Sequence, residues 1–255
     1  MTAPVKSWLD RDGRLLRLRL ARPKANVLDA AMVGALDEAL QRMAAGPALA
    51  GILVDHEGPH FSFGASVEEH LPGRCAAMLK GFHALILRLA AAPVPVLTAV
   101  RGQCLGGGLE VALAGHFIFA APDAGLGQPE IVLGVFAPAA SVLLPKRVGQ
   151  ARAEDLLFSG RTVNADEARA IGLVDAVADD PEAAALAWFD RHLAPKSAST
   201  VRHAVVAARS AFARDLAARL GELEELYLSK LMATRDAVEG LEAFIAKRPA
   251  RWENR

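Results

Sequence analysis

The apolar and polar positions of the chain change period several times along its length. Leu16, Leu18 and Leu20 alternate with Arg17 and Arg19, which predicts a strand with one wet face. With Val5 to Leu9 it forms a ribbon around an Asp12-Gly13 turn, the second strand running from Leu15 to Ala21. Asp29 can cap a helix to about Ala45, with Met32, Leu36, Leu40 and Met43 on one face. Gly51-Ile52-Leu53-Val54 is a short, wholly apolar run and predicts a buried strand. Cys75 to Ala91 returns to helical period. Pro93 and Pro95 end that helix and start the strand Val94 to Val100. Phe117 to Ala121 is a further apolar run. Ala139 to Val148 and Arg152 to Ser159 are helical. Asn164-Ala165-Asp166-Glu167 has the pattern of a capping box opening a short helix that stops at Gly172. Leu173 to Val177 reads as a last short strand. From Asp180-Pro181 onward strand signals cease, and three or four helices extend to about Lys247.

The pattern divides the chain into an α/β part over residues 1–178 and a helical region over 179–255. Within the latter, Leu220, Leu223, Leu226, Tyr227 and Leu231 form an apolar stripe. It suits packing on the main body and a subunit contact equally.

Composition narrows the class. The 255 residues are 53% hydrophobic, and 29 basic residues balance 29 acidic ones, so there is no basic footprint for nucleic acid. Near-zero net charge favours self-association. Cys75 and Cys104 make neither a disulfide framework nor a metal motif and read as buried thiols. His56 and His60 straddle Gly58-Pro59, which removes the helical spacing a metal pair would use. The first residues, MTAPVKSWLDRDG, lack the apolar core of a signal peptide, and Arg88, Pro93, Pro95, Glu110 and His116 interrupt the most apolar stretches. A soluble cytoplasmic protein without a membrane span is the expectation.

The candidate chemistry lies in Val94–Gly134. Gly106-Gly107-Gly108 falls between a strand and a helix, where backbone N–H groups can converge on an anion or an oxyanion. Neither GxGxxG nor a GK[ST] phosphate loop is present, and a tight turn would need the same small residues. The small-residue loop Phe61-Ser62-Phe63-Gly64-Ala65-Ser66 is a second donor candidate if neighbouring parallel strands end at one sheet edge. Glu110 and Glu130 sit among apolar residues, where a charge is costly or shifts its pKa, and the simplest reason to keep one there is chemistry. The bland alternatives are a buried cation such as Arg101 for Glu110, and a helix-terminus acid for Glu130.

At these residues the sequence resembles the crotonase (enoyl-CoA hydratase/isomerase) superfamily. The resemblance rests on RPKANVLD (22–29), FSFGAS (61–66), GQCLGGGLE (102–110), LGQPEIVLG (126–134) and FSGRTVNADEARAIGLVD (158–175). It spans about Trp8 to Ala178, and the helical tail matches the family's C-terminal region. FSFGASVEEHLP, LGVFAPAAS and the terminal WENR are similar to the branch that hydrates a cyclic dienoyl-CoA in aromatic breakdown.

The resemblance implies a spiral of β-β-α units followed by a C-terminal helical region. It implies an oxyanion hole formed by the N–H groups of Ala65 and Gly107, and acid–base work by Glu110 and Glu130, with Glu130 the acid and Glu110 the water-activating base. Substrate and CoA contacts fall on Lys24, Ala25, Val27, Phe63, Gly64, Ser66, Val67, Gly106, Val135 and Phe136. CoA enters as part of the acyl thioester substrate, with no separate cofactor and no metal. The expected assembly is a trimer or a dimer of trimers, with no nucleic-acid or membrane partner. Ser66 stands where many hydratases have an acid, and Ala137-Pro138-Ala139-Ala140-Ser141 replaces a longer glycine-rich segment. The second departure falls on the wall of the acyl pocket and weighs against a straight-chain substrate. A general 2-enoyl-CoA hydratase or isomerase, and a non-catalytic acyl-CoA- or RNA-binding member, are the other readings. Retention of both glutamates disfavours a dead site.

Overall fold

The computed structural model describes residues 3–43 and 46–255; the predicted helix end at Ala45 and the side chain of Met43 lie outside the described residues. Strands β1 (Val5–Asp10) and β2 (Leu15–Leu20) pair antiparallel, with Asp10 opposite Leu15. The expected Asp12-Gly13 pair sits inside a wider turn, in which Arg11, Asp12 and Gly13 all have positive φ. Helix α1 (Ala30–Met43) begins beyond Asp29, whose Oδ1 accepts the Met32 N–H at 2.9 Å.

The chain then builds its repeating unit. Strand β3 (Gly51–His56) leads through a bridge at Ser62 and a 3₁₀ turn (Val67–His70) to α2 (Cys75–Ala90). Strand β4 (Val96–Val100) is followed by β5 (Gln103–Leu105) and α3 (Gly107–Ala114). Strand β6 (Phe117–Ala120) is followed by β7 (Gly125–Gly127), a 3₁₀ turn (Pro129–Leu133) and α4 (Pro138–Val148). The β-β-α spiral is therefore traced three times. Strand β4 starts later than the apolar run because prolines 93 and 95 lack the N–H a ladder needs, although Pro95 still accepts the Ile52 N–H at 2.9 Å.

Helix α5 (Gln150–Ser159), strand β8 (Thr162–Asn164) and helix α6 (Ala165–Ala170) follow. Half of the predicted capping box forms: Asn164 Oδ1 accepts the Glu167 N–H at 2.9 Å, while the Glu167 carboxylate pairs with Arg161 instead. Strand β9 is only Ala176–Val177, shorter than expected, because the N–H groups of Leu173 and Val174 turn back to Ala168 O. The C-terminal region comprises α7 (Pro181–His192), α8 (Ala198–Ser229), a short 3₁₀ turn (Leu231–Ala233) and α9 (Arg235–Ile245).

The main sheet has the order β1-β2-β3-β4-β6-β9, parallel beyond the first hairpin. Alternate residues face two cores. Leu16, Leu18, Ile52, Val54, Val96 and Ile118 meet α1, α2 and α3. Leu15, Leu53, Leu97 and Phe119 meet Ala185 and Phe189 of α7. The face carrying Arg17 and Arg19 is consequently not wet. Arg17 is buried and pairs with Asp10, Asp55 and Glu182, and Arg19 shares Asp55 and Glu182. The covering helix is distant in sequence, so alternation alone suggests solvent. Within the tail stripe, Leu220 and Tyr227 are buried in the body and Leu223 and Leu231 pack against it, while Leu226 faces outward.

Candidate active site

A second, three-stranded sheet in the order β5-β7-β8 assembles the site. Ser62 bridges Cys104 in parallel, and Leu105 pairs in parallel with Gly127. Three segments thus leave one edge side by side: Phe63-Gly64-Ala65, Gly106-Gly107-Gly108 and Gln128-Pro129-Glu130. The common edge belongs to this small sheet and not to the main one. His56 and His60 serve its approach, as acceptors for the N–H groups of Arg101 (3.2 Å) and Gln103 (3.1 Å).

Two glycines aim the backbone donors. Gly64 has φ +99° and Gly106 has φ +52°, and each precedes one donor, Ala65 and Gly107. The loops nearly touch: a Cβ on Gly107 would lie 3.1 Å from Ala65 N, and one on Gly64 would lie 3.3 Å from Gly107 N. No acceptor among the described residues takes either N–H. Gly107 also opens α3, so the helix dipole adds to its N–H. Behind them, Ser62 Oγ donates to Asn26 O (2.8 Å) and accepts the Gly64 N–H (3.0 Å).

Glu110 stands in the first turn of α3, buried, and forms no ion pair among the described residues. The N–H of Ala140 donates to its Oε1 at 2.7 Å. Ala140 is in the first turn of α4, so the shortened Ala137–Ser141 segment binds a catalytic candidate through a helix N-terminus. Arg101, the cation considered for Glu110, instead donates to Asp179 O at 2.7 Å. Glu130 belongs to the 3₁₀ turn, and its Oε1 lies 2.4 Å from where a Gly106 Cβ would be. The buried Gln128 amide stands 2.9 and 3.2 Å from the two Glu130 oxygens. With Glu130 ionised, the amide turns its NH₂ to the carboxylate; with Glu130 protonated, its carbonyl accepts the acid proton and its NH₂ faces Gly106 O.

Residues 10–255 match the family model described as enoyl-CoA hydratase/isomerase. The chain belongs to that family. It is 62% identical over 254 residues to cyclohexa-1,5-dienecarbonyl-CoA hydratase of Thauera aromatica, covering 100% of this chain and 98% of the relative. Among solved structures, an enoyl-CoA hydratase from Mycobacterium avium subsp. paratuberculosis K-10 superposes with a TM-score of 0.86 at 26% identity, covering 100% of both chains. An enoyl-CoA hydratase/isomerase from Xanthobacter autotrophicus Py2 does so with a TM-score of 0.85 at 27% identity, covering 99% of each. The β-β-α spiral is this family's fold.

In this hydratase/isomerase scaffold the two carboxylates face a cavity of about 340 Å³. Its wall includes Phe63, Gly64, Ala65, Val67, Gly106, Gly107, Val135 and Phe136, all expected from the sequence. Ser66 lies outside the lining and spends its carbonyl on His70 Nδ1 at 2.7 Å. Lys24, Ala25 and Val27 are also outside it, but their loop runs beside the donor loop. Phe63 N donates to Ala25 O and Leu28 N to Gly64 O. A larger groove of about 590 Å³ between α1 and α2 shares Met78 and Phe82 with the site and contains neither glutamate.

Burial raises the Glu110 pKa to about 7 against the N–H groups of Ala140 and Ala139, which favour its anion. Burial, and then the charge of Glu110, raise Glu130 to about 8. The two carboxyls titrate as one coupled pair, both pushed up by burial, and the Ala140 N–H favours the anion on Glu110. Sequence reasoning missed Phe82, His70, His83 and Leu241 in the lining. It also missed Gln128, whose signal was adjacency to Glu130, and Tyr227, a buried phenol beside Phe136 with ring centroids 5.2 Å apart.

Proposed function

We propose that the chain is a hydratase that adds water to cyclohexa-1,5-diene-1-carbonyl-CoA, giving 6-hydroxycyclohex-1-ene-1-carbonyl-CoA in the breakdown of aromatic acyl-CoA thioesters. The observation that carries the reading is the buried pair Glu110 and Glu130, with Glu110 held by the Ala140 N–H, beside two backbone donors that no acceptor among the described residues takes. The full-length similarity to the Thauera aromatica hydratase supplies the substrate.

The thioester carbonyl oxygen sits between the N–H groups of Ala65 and Gly107. Glu110, as carboxylate, takes a proton from water as the water oxygen bonds to the β-carbon of the ring. The electron pair moves through the carbonyl into a dienolate that extends over the second double bond. Glu130 then gives its proton to the far end of that system, a 1,4-addition. The proton gained by Glu110 returns to Glu130 across the pair, and one water has been added with no other reactant consumed. The Val135, Phe136 and Phe63 side chains form a wall suited to a flat ring. Lys24, Ala25 and Val27 carry the CoA end. A cytoplasmic location completes the reading, as does a trimer or dimer of trimers, for which the outward-facing Leu226 offers an apolar contact.

Turnover of cyclohexa-1,5-diene-1-carbonyl-CoA against crotonyl-CoA tests it. The dienoyl thioester is expected to be the faster substrate; faster hydration of crotonyl-CoA would transfer the reading to a general enoyl-CoA hydratase. Light scattering tests the assembly, and a monomer at micromolar concentration would oppose it.

A further inference from the structure

The segment Pro249–Arg255 forms no helix or strand, yet it is held to α9 along its length. The chain turns at Lys247, which has φ +51°, and runs back beside the helix. The Arg251 N–H donates to Glu239 Oε1 at 2.8 Å, and the Glu253 and Asn254 N–H groups donate to the two Asp236 oxygens at 2.7 Å each. The Arg255 carbonyl accepts the Arg235 N–H, in the first turn of α9, at 2.8 Å. Glu239 is itself fixed by a two-pronged pair with Arg248. Bonds from backbone N–H groups to carboxylates are stronger than neutral ones. Their order sets the segment antiparallel to the helix. Midway along it, Trp252 lies against two glycines. A Cβ on Gly134 would be 3.1 Å from Trp252 Cζ3, and one on Gly240 would be 2.9 Å from Trp252 Cη2. Gly134 ends the 3₁₀ turn that carries Glu130. Gly240 sits inside α9, where glycine is a poor helix former and needs another reason to be present. A side chain at either position would meet the indole. The same two positions also face Asp236 O and Leu133 O, so Leu133-Gly134 is clasped by α9 and Trp252 together. On its other flank the turn meets Gly160, where a Cβ would be 2.9 Å from Ile131 Cγ2 and Val132 Cγ2. Ile131 and Val132 are exposed, so burial of the turn's own side chains does little to hold it. Helix α9 also supplies Leu241 and Phe244 to the acyl cavity.

We propose that Trp252 is a positioning residue for Glu130: the segment Pro249–Arg255 latches along α9, and its indole holds the Glu130 turn and the α9 wall of the acyl cavity in one fixed relation. The inference deepens the hydratase reading and rests on Glu130 as its acid. Without the indole, the turn keeps its Gly160 flank and can swing at Gly134, whose φ of +74° lies in glycine's wide range. The Glu130 carboxyl moves with the turn and loses its approach to the far end of the ring. The donors at Ala65 and Gly107 stand on other loops and stay in place. Thioester binding therefore survives while proton delivery suffers.

The test is Trp252→Ala in the full chain, read by kinetics and by amide hydrogen exchange. Its kcat is expected to fall about 10–100-fold with KM within about threefold of wild type. The Gly134 and Val135 amides, which donate to Ile131 O and Glu130 O, should exchange about tenfold faster or more, while those of Gly107–Ala114 stay unchanged. Trp252→Phe keeps a ring over the two glycines and is expected to be at least about threefold faster than Trp252→Ala. A kcat for Trp252→Ala within about twofold of wild type would overturn the proposal. So would a loss confined to KM, a Trp252→Phe no faster than Trp252→Ala, or exchange that is unchanged at the turn or rises equally in α3. Failure of the underlying reading is separable, because Glu130→Gln would then keep full activity. The exchange measurement needs no substrate and would still report whether the indole holds the turn.

Discussion

Replacing Gly106 by alanine tests the site at the point where its two halves meet. A Cβ there would lie 2.4 Å from Glu130 Oε1 and 3.3 Å from Glu130 Cδ. Non-bonded heavy atoms settle at about 3.5–4.0 Å, so the carboxylate must retreat by roughly 1 Å. A displacement of that size at a reacting group costs about 10²-fold in rate. The backbone adds a second effect. Gly106 has φ 52° and ψ −127°, a region essentially closed to residues with a side chain, at a cost of about 1–3 kcal/mol. Relaxing it rotates the Gly107 N–H away from the oxyanion position, and a lost donor of that kind costs about 10²–10³ in kcat. The expected result for Gly106→Ala is a kcat lower by about 10²–10³, a KM changed far less, and a Tm lower by roughly 2–10 °C. Loss of the conjugated-diene absorbance follows the first two, and scanning fluorimetry the third. A variant retaining kcat within about threefold would refute the placement of Glu130 over Gly106, since a 1 Å shift should cost about 10²-fold.

Three further outcomes follow from the same geometry. Both glutamates have folded pKa values raised above their unfolded ones, so the folded state binds more protons and its stability falls as pH rises from about 4.5 to about 8. Glu130→Gln should therefore raise Tm over wild type at pH 8, with the difference shrinking toward pH 5; a pH-independent difference would contradict the burial argument. Activity of the wild type should fall on the alkaline side as the pair loses its shared proton. Asn26 is fully buried, accepts the Arg22 N–H and donates to Glu57 O and His60 O. Asn26→Ala should cost about 1–3 kcal/mol for each group left unpaired and loosen the loop proposed to carry CoA, read as a lower Tm and a higher KM. Gly240 packs so closely that an added Cβ would be 2.1 Å from Leu133 O. Gly240→Ala should shift the turn carrying Glu130 and lower kcat about 10–100-fold, while an unchanged kcat would release α9 from any role in positioning that acid.

Much of the site was legible because its parts are local. The glycines must precede their donors, and each glutamate lies within a few residues of a turn, so Gly64-Ala65, Gly106-Gly107, Glu110 and the segment before Pro138 stand out in the chain. Helices α2, α4, α5 and α6 follow from period and punctuation. Strands β5 and β7 were hidden, since three residues such as Gly125-Leu126-Gly127 carry no alternation. Their pairing is nevertheless what brings the three loops to one edge. Also hidden were features made by partners far apart in sequence. Arg17 looks solvated until Glu182 and Asp55 arrive, and His83 looks like one polar position on an amphipathic helix until Glu224 fixes its ring. The Ala137–Ser141 segment read as a pocket wall. The geometry divides it, with Ala137 and Pro138 facing the cavity and the N–H groups beyond them holding Glu110.

The central claim is that Glu110 and Glu130 add water across a conjugated ring, with base and acid acting at its two ends. Hydration of cyclohexa-1,5-diene-1-carbonyl-CoA in D₂O, with the product read by NMR, tests it most directly. The account predicts a single deuterium on the ring carbon across from the new hydroxyl, at C3 of 6-hydroxycyclohex-1-ene-1-carbonyl-CoA, and its loss of rate in Glu130→Gln. Deuterium at C5, next to the hydroxyl-bearing carbon, or undiminished labelling by Glu130→Gln, would contradict it.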